Sequence, residues 1–284
     1  ACFASDTTFY VDETVTQHDL RWIYWLLQTL RLDEGSDEAA VPGLNRESAY
    51  EMTVSVPSIP EQRAIADYLD RETGRLDALV AAKGRVLELL AEKRRALITR
   101  AVTRGLNPNA PLRDSGLPWL GQIPMHWEVV PLRYLVSFIS GATPDKGNAE
   151  FWNGEIPWVS PKDMKRDIVA DSEDHVTEEA LEASTLRLLP VSTVLIVVRG
   201  MILAHSFPTA LTSSRVTINQ DMKGLCCREH IEPLFLRDFF KGITPVLVSL
   251  MEESAHGTKK METEVLGNLG ICAPPLSEQR AIVA

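Results

Sequence analysis

Residues 58–104 constrain the fold more than any other stretch. Ser58-Ile-Pro-Glu61 has the pattern of a helix-opening capping box, with Pro60 tolerated in the first turn. Gly105-Leu-Asn-Pro108 is a stop signal. Between them a heptad register places Leu69, Leu76, Lys83, Leu90 and Leu97 on one set of seam positions. Ile65, Glu72, Leu79, Val86, Lys93 and Arg100 take the other set, and Val80 and Leu87 widen the stripe. The spacing predicts one helix of about 45 residues, roughly 65 Å long, with a coiled-coil seam broken by polar positions. Gly74 and Gly84 each weaken it by about 1 kcal/mol relative to Ala. A helix of this length needs a partner along its side. An ordinary helix lying on a globular domain is the plainer alternative.

An internal repeat suggests where such a partner comes from. Val56-Pro-Ser-Ile-Pro-Glu-Gln-Arg-Ala-Ile65 matches Ala273-Pro-Pro-Leu-Ser-Glu-Gln-Arg-Ala-Ile282, with Glu-Gln-Arg-Ala-Ile identical in both. Weaker matches keep the same order: Leu20–Leu26 with Leu234–Phe240, and Gly43–Arg46 with Gly257–Lys260. A period of about 215 residues in 284 predicts a fragment of a longer, two-fold repeated protein.

The formal charge of −10 argues against a non-specific, highly basic nucleic-acid coat. It leaves open a single basic face. Residues 1–60 hold 10 acidic and 3 basic side chains, residues 61–113 hold 7 and 11, and residues 114–284 hold 22 and 15. Cys2, Cys226, Cys227 and Cys272 contain no Cys-X-X-Cys pair, so they are expected to be reduced thiols of a cytoplasmic protein. No apolar run approaches the length of a membrane span, and residues 1–10 do not resemble a signal peptide.

Residues 117–272 read as one mixed α/β domain. Strands are expected at 156–160, 193–198, 215–218 and 225–228, and helices at 176–184, 233–249 and 261–267. Gly141–Pro144 and Trp152–Gly154 read as turns. There is no phosphate-binding glycine loop, no His-Glu-X-X-His, no nucleophile elbow and no Asn-Pro-Pro-aromatic methyltransferase run. The six histidines are scattered and suggest no metal site. Asp145, Asp163 and Lys165 fit the loose pattern of Mg²⁺-dependent nucleases, which remains an enzymatic alternative; a turn Asp with a surface Asp and Lys is the plainer reading. Candidates for DNA contact are Lys146, Lys162, Lys165, Arg166, Arg199, Arg215, Lys223, Lys259 and Lys260. Arg199-Gly200, ending an apolar strand, is the best placed. Trp119, Trp127, Trp152 and Trp158 are expected in the core rather than as base-stacking platforms.

At this point a resemblance emerges. Pro57–Asp70, Arg75–Leu79 and Glu92–Leu106 resemble the central conserved region of type I restriction–modification specificity subunits. Asp114–Trp127, Gly141–Pro144 and Gly154–Asp163 resemble the opening of a target-recognition domain of that family. The resemblance implies an α+β fold, with mixed α/β recognition domains joined by a long coiled-coil-type helix. It divides the chain into the tail of a first recognition domain (1–55), the central spacer helix (56–106), a linker (107–116), a second recognition domain (117–272) and the start of a distal helix (273–284). It implies a non-catalytic subunit that reads one half of a split double-stranded DNA target with each domain. Methyltransferase subunits using S-adenosylmethionine, and a restriction subunit using Mg²⁺ and ATP, would be the partners; the chain itself would hold no cofactor. Ile65, Leu69, Leu76, Leu79, Val86, Leu90 and Leu97 would pair helices or dock partners, with self-association as an outcome for a truncated chain. A rod-like assembly scaffold without DNA readout is the further alternative.

Overall fold

The computed structural model describes residues 10–30, 32, 46–253 and 258–284. Cys2 and residues 43–45 and 257 of the weaker repeat matches lie outside the described residues. The chain divides into two units, residues 1–89 and 90–284.

In the first unit, α1 (Leu20–Thr29) starts at Asp19, whose carboxylate accepts from the backbone N–H groups of Arg21 and Trp22. A short helix, α2 (Arg46–Glu51), follows. Then α3 (Ile59–Arg104) begins within one residue of the position the capping box predicts. Glu61 accepts from both the backbone N–H and the hydroxyl of Ser58, and these bonds lower the Glu61 pKa. Gln62 is fully buried. Its carbonyl accepts from Asp19 N–H at 2.9 Å and its amide donates to the Pro57 carbonyl at 2.8 Å, with His18 Nδ1 at 3.1 Å. Arg21 bridges Asp67 and Asp70 on the next turn of α3.

The remainder of α3 belongs to the second unit. Gly105 follows its last turn with φ +73°, a left-handed conformation that favours glycine. A side chain there would also crowd Glu278 and Trp127. Thr99 donates to the Gly242 carbonyl and Val102 is buried in the core. Arg94 and Lys241 share Asp167 at 3.6 and 2.6 Å. Of the seam residues, Leu69 is half-buried. Ile65, Leu76, Leu79, Val86, Leu90 and Leu97 are exposed.

The second unit continues through a small antiparallel pair, β1 (Leu112–Asp114) with β2 (Gln122–Pro124). Next come β3 (Glu128–Pro131), the single turn α4 (Leu132–Leu135) and β4 (Val136–Ser140). β5 (Trp152–Val159) contains the residues expected to turn: Asn153 has φ +62°, but Trp152 and Ile156 both oppose Val176. The turn residues therefore make a bulge inside a strand and not a chain reversal. After β6 (Ile168–Val169) and β7 (Asp174–Val176) comes α5 (Glu178–Ala183), capped by Thr177.

β8 (Val194–Val197), β9 (Arg199–Gly200), β10 (Thr209–Thr212), β11 (Thr217–Ile218) and β12 (Met222–Cys227) complete the centre. The main sheet has the order β4-β12-β8-β10-β6, antiparallel except for β10 with β6. Its middle strand β8 is buried at every residue, as expected for a strand covered on both faces. α6 (Pro233–Gly242) packs against β8 and β10 through Phe235, Leu236, Phe239 and Phe240, all fully buried.

The single helix expected at 233–249 is two helices, because Pro245 cannot donate a backbone hydrogen bond and disfavours helix before it. α7 (Thr244–Ser249) restarts the chain. β13 (Glu252–Glu253), β14 (Lys259–Lys260) and β9 form a separate three-stranded sheet. α8 (Thr263–Asn268) leads to β15 (Gly270–Ala273), which pairs with β3. α9 (Leu276–Val283) ends the chain. The strand expected at 215–218 is confined to Thr217–Ile218, and that at 225–228 starts earlier, at Met222.

The start of α9 matches that of α3. Gln279 is fully buried; its carbonyl accepts from Glu232 N–H, and its amide donates to the carbonyls of His230 and Pro274. Among the described residues, no buried side-chain polar atom lacks a hydrogen-bond partner. Trp127 and Trp158 are buried and Trp119 and Trp152 half-buried, in line with the core expectation.

Candidate nucleic-acid interface

One end of the main sheet gathers cations from strands far apart in sequence. β4 ends there at Ser140, β12 begins there, and β8 ends there at Val197. The chain leaving β8 is held when the Asp221 carbonyl accepts from the N–H groups of Val198 and Arg199, at 2.8 and 3.3 Å. Arg199 then pairs in register with Lys260, and Gly200 with Lys259. Lys223 Nζ donates to Ser140 Oγ at 2.9 Å across the β4–β12 pair. Burial lowers the Lys223 pKa, Lys260 lowers it further and Glu262 opposes them. Lys260 is tied to Glu262 at 2.5 Å. Arg199 is exposed, and on β13 Glu253 pairs in register with Lys259 and Glu252 with Lys260. Gln220 and Thr143, hydrogen-bonded to each other, add uncharged polar groups beside the same strand ends.

Four of the nine candidate cations, Arg199, Lys223, Lys259 and Lys260, therefore converge. Lys146 lies exposed in the loop that follows β4. Arg215 is also exposed, but it follows the end of β10 that pairs with the start of β8, so it sits at the opposite end of the sheet. Lys162 and Lys165 lie on the segment around β6. Lys162 sits 3.0 Å from Glu173 and 2.9 Å from Asp174, and these two carboxylates raise its pKa. Lys165 is 3.8 Å from Glu173, and Arg166 is exposed beside them. Lys162, a reasonable phosphate contact by sequence, is neutralised in place.

The nuclease pattern has structural uses. Both oxygens of Asp163 are engaged: one accepts from Ser160 N–H and Oγ, capping the 3₁₀ turn Pro161–Asp163, and the other accepts from Glu173 N–H. Asp145 accepts from Gly147 N–H in its own turn. Among the described residues no group of three or more His, Cys, Asp or Glu is placed to hold a metal. Burial pushes the Cys227 and Cys272 thiols up to about 12, so both are poor nucleophiles. A cleft of about 600 Å³ at the end of α3, lined by Arg100 and Arg104, contains no acid, histidine or cysteine. No helix among the described residues is long and apolar enough to cross a membrane.

This is an α+β unit with one basic sheet end, and the long helix that runs into it carries apolar residues that are exposed among the described residues. Residues 124–284, more than half of the chain, match the family described as type I restriction modification DNA specificity domain, and the chain belongs to that family. It is 28% identical over 268 residues to the specificity subunit of the type I restriction enzyme EcoR124I/EcoR124II of Escherichia coli, covering 93% of this chain and 61% of that subunit. The specificity subunit of the type I restriction enzyme MjaIX of Methanocaldococcus jannaschii is 26% identical over 168 residues, 57% of this chain and 38% of that subunit.

Two solved structures share the α+β fold at 20% identity. The HsdS subunit from Thermoanaerobacter tengcongensis has a TM-score of 0.51 over 93% of this chain and 60% of its own. A chain from a study of complex assembly and conformational transition in the type I R-M system has a TM-score of 0.62 over 92% and 58%. The chain spans no more than 61% of the length of any of these four relatives.

Proposed function

We propose that the chain is part of a non-catalytic specificity subunit, in which the domain at 117–272 reads one half of a split DNA target. The observation that carries this reading is the convergence of Arg199, Lys223, Lys259 and Lys260 at one sheet end, inside the region that matches the specificity-domain family. Arg199 has the geometry for bidentate hydrogen bonding to a guanine edge, and Lys259 has a point charge for a phosphate. Residues 1–55 belong on this reading to a first recognition domain, 56–106 to the spacer, 107–116 to a linker and 273–284 to a distal helix.

The exposed stripe Ile65, Leu76, Leu79, Val86, Leu90 and Leu97 is where a distal helix, methyltransferase subunits or a second copy of this chain would pack. The chain would work in the cytoplasm, with S-adenosylmethionine, Mg²⁺ and ATP belonging to the methyltransferase and restriction subunits. The alternative Mg²⁺-dependent nuclease on Asp145, Asp163 and Lys165 draws no support from carboxylates occupied in capping and turn bonds.

The test is the salt dependence of duplex binding by the purified chain. Lys259→Ala is expected to reduce the log–log salt slope by about 1, and Lys162→Ala to leave it unchanged. The reverse pattern would move the interface to the β6 segment. Retained partner binding with no duplex affinity would favour the scaffold reading.

A further inference from the structure

The basic sheet end also carries an apolar prong. Met201 is 75% exposed and Ile202 44%, both far more exposed than is usual for their types. They are not on a loose loop. Gly200, with φ +142°, occupies a conformation that side chains rarely adopt and redirects the chain as it leaves β9. The 3₁₀ turn Met201–Ala204 follows at once. Leu203, fully buried, anchors that turn in the core. The Ile202 carbonyl accepts from the N–H groups of His205 and Ser206 and from the Ser206 hydroxyl. β14 packs against the turn, and Met261 just after it is buried. Two large apolar side chains are thus held outward on a braced turn, with Arg199 immediately before them and Lys259 and Lys260 on the neighbouring strand.

Two side chains make far too small a patch for a protein–protein interface, which needs roughly 800 Å² per partner. Cations around an apolar tip suit a polyanion with an apolar interior, and duplex DNA offers that interior between successive base pairs. We propose that Met201, backed by Ile202, is a wedge that enters a base step and partly unstacks it while Arg199 and Lys259 hold the flanking edges and phosphates. The inference deepens the duplex-reading proposal and rests on it. Specificity would then come partly from how easily a step opens, a preference set by DNA deformability and not by base hydrogen bonds.

The test uses the full 284-residue chain and a pool of randomised duplexes. Sequences enriched by the wild type are resynthesised with 2-aminopurine at each position in turn. Binding should brighten the probe at one step. Met201→Gln should abolish that brightening and weaken binding on the order of tenfold, about 1.4 kcal/mol. It should leave the salt slope and the melting curve unchanged, since Met201 carries no charge and little buried area. Met201→Leu should retain the signal. Brightening that survives Met201→Gln, or a bound duplex with no brightened step, overturns the wedge while leaving duplex reading intact. A wild type that enriches no sequence overturns both. Capture of anionic phosphatidylserine vesicles, lost in Met201→Gln, would assign the prong to a membrane surface and overturn it as well.

Discussion

The starts of α3 and α9 build the same junction twice. In each, a buried glutamine ties the new helix to the segment before it and to the start of a preceding helix. Gln62 joins the Pro57 carbonyl to Asp19 at the start of α1. Gln279 joins the Pro274 carbonyl to Glu232 at the start of α6. The following arginine leans on the same acidic residue in both, Arg63 on Asp19 at 3.8 Å and Arg280 on Glu232 at 3.4 Å. The glutamate differs. Glu61 caps its own helix through Ser58. At the matching place Pro275 has no N–H to give, and Glu278 instead accepts from Trp127 Nε1 at 3.2 Å and lies 2.8 Å from His126 Nε2. A glutamine that bonds to backbone survives changes in neighbouring side chains. A glutamate that depends on the N–H and hydroxyl of one serine is reassigned when proline takes that serine's place.

The glutamines should give the largest effects. Gln279→Leu strands Glu232 N–H and the carbonyls of His230 and Pro274, and is expected to cost about 3–5 kcal/mol. Gln62→Leu strands fewer buried groups and should cost about 2–4 kcal/mol. Because the chain has two units, hydrogen exchange at Glu232 and Asp19 is the measurement, each mutation acting in its own unit. Equal loss of protection at both sites from either mutation would break the comparison. Glu278→Ala removes the carboxylate that accepts from the buried Trp127 indole and should cost about 1–2 kcal/mol. Glu61→Ala should only fray the first turn of α3.

Asp167 supplies a pH-dependent contrast. Its hydrogen bond and ion pair with Lys241, aided by Arg237 and Arg94, lower its pKa against the opposing effect of partial burial. The ionised carboxylate therefore stabilises the fold fully above the ordinary carboxylate range, and that contribution is lost as pH falls through the lower folded value. Asp167→Asn should destabilise residues 90–284 at neutral pH, and the gap from wild type should close in acid. A gap independent of pH would contradict the ion-pair account. The smallest effects belong to Arg63→Ala and Arg280→Ala, each within about 0.5 kcal/mol because exposed ion pairs contribute little.

Local chemistry made much of this legible. The capping box and glycine stop predict the bounds of α3 to within a residue, and the five-residue identity between positions 61–65 and 278–282 marks a junction whose geometry is repeated. The candidate interface was only partly legible. Arg199 was singled out at a strand end, but its neighbours come from pairings across some 60 residues, β9 with β14, that no local pattern encodes. Lys162 looked as promising as Lys259 until the fold placed Glu173 and Asp174 against it. Met201 gave no signal, since an exposed methionine and a core methionine look alike in sequence. Trp152–Gly154 did announce a turn; only the positive φ at Asn153 and the pairing with Val176 determined that it makes a bulge.

The account stands most directly on which bases the sheet end selects. Duplexes enriched from a randomised pool by the wild type and by Arg199→Ala should differ at one position of the half-site, where the substitution relaxes the preference by about 1–3 kcal/mol. The remaining positions should be unchanged. An identical preference at every position, with equal affinity, would place the reading surface elsewhere on the domain and contradict the assignment.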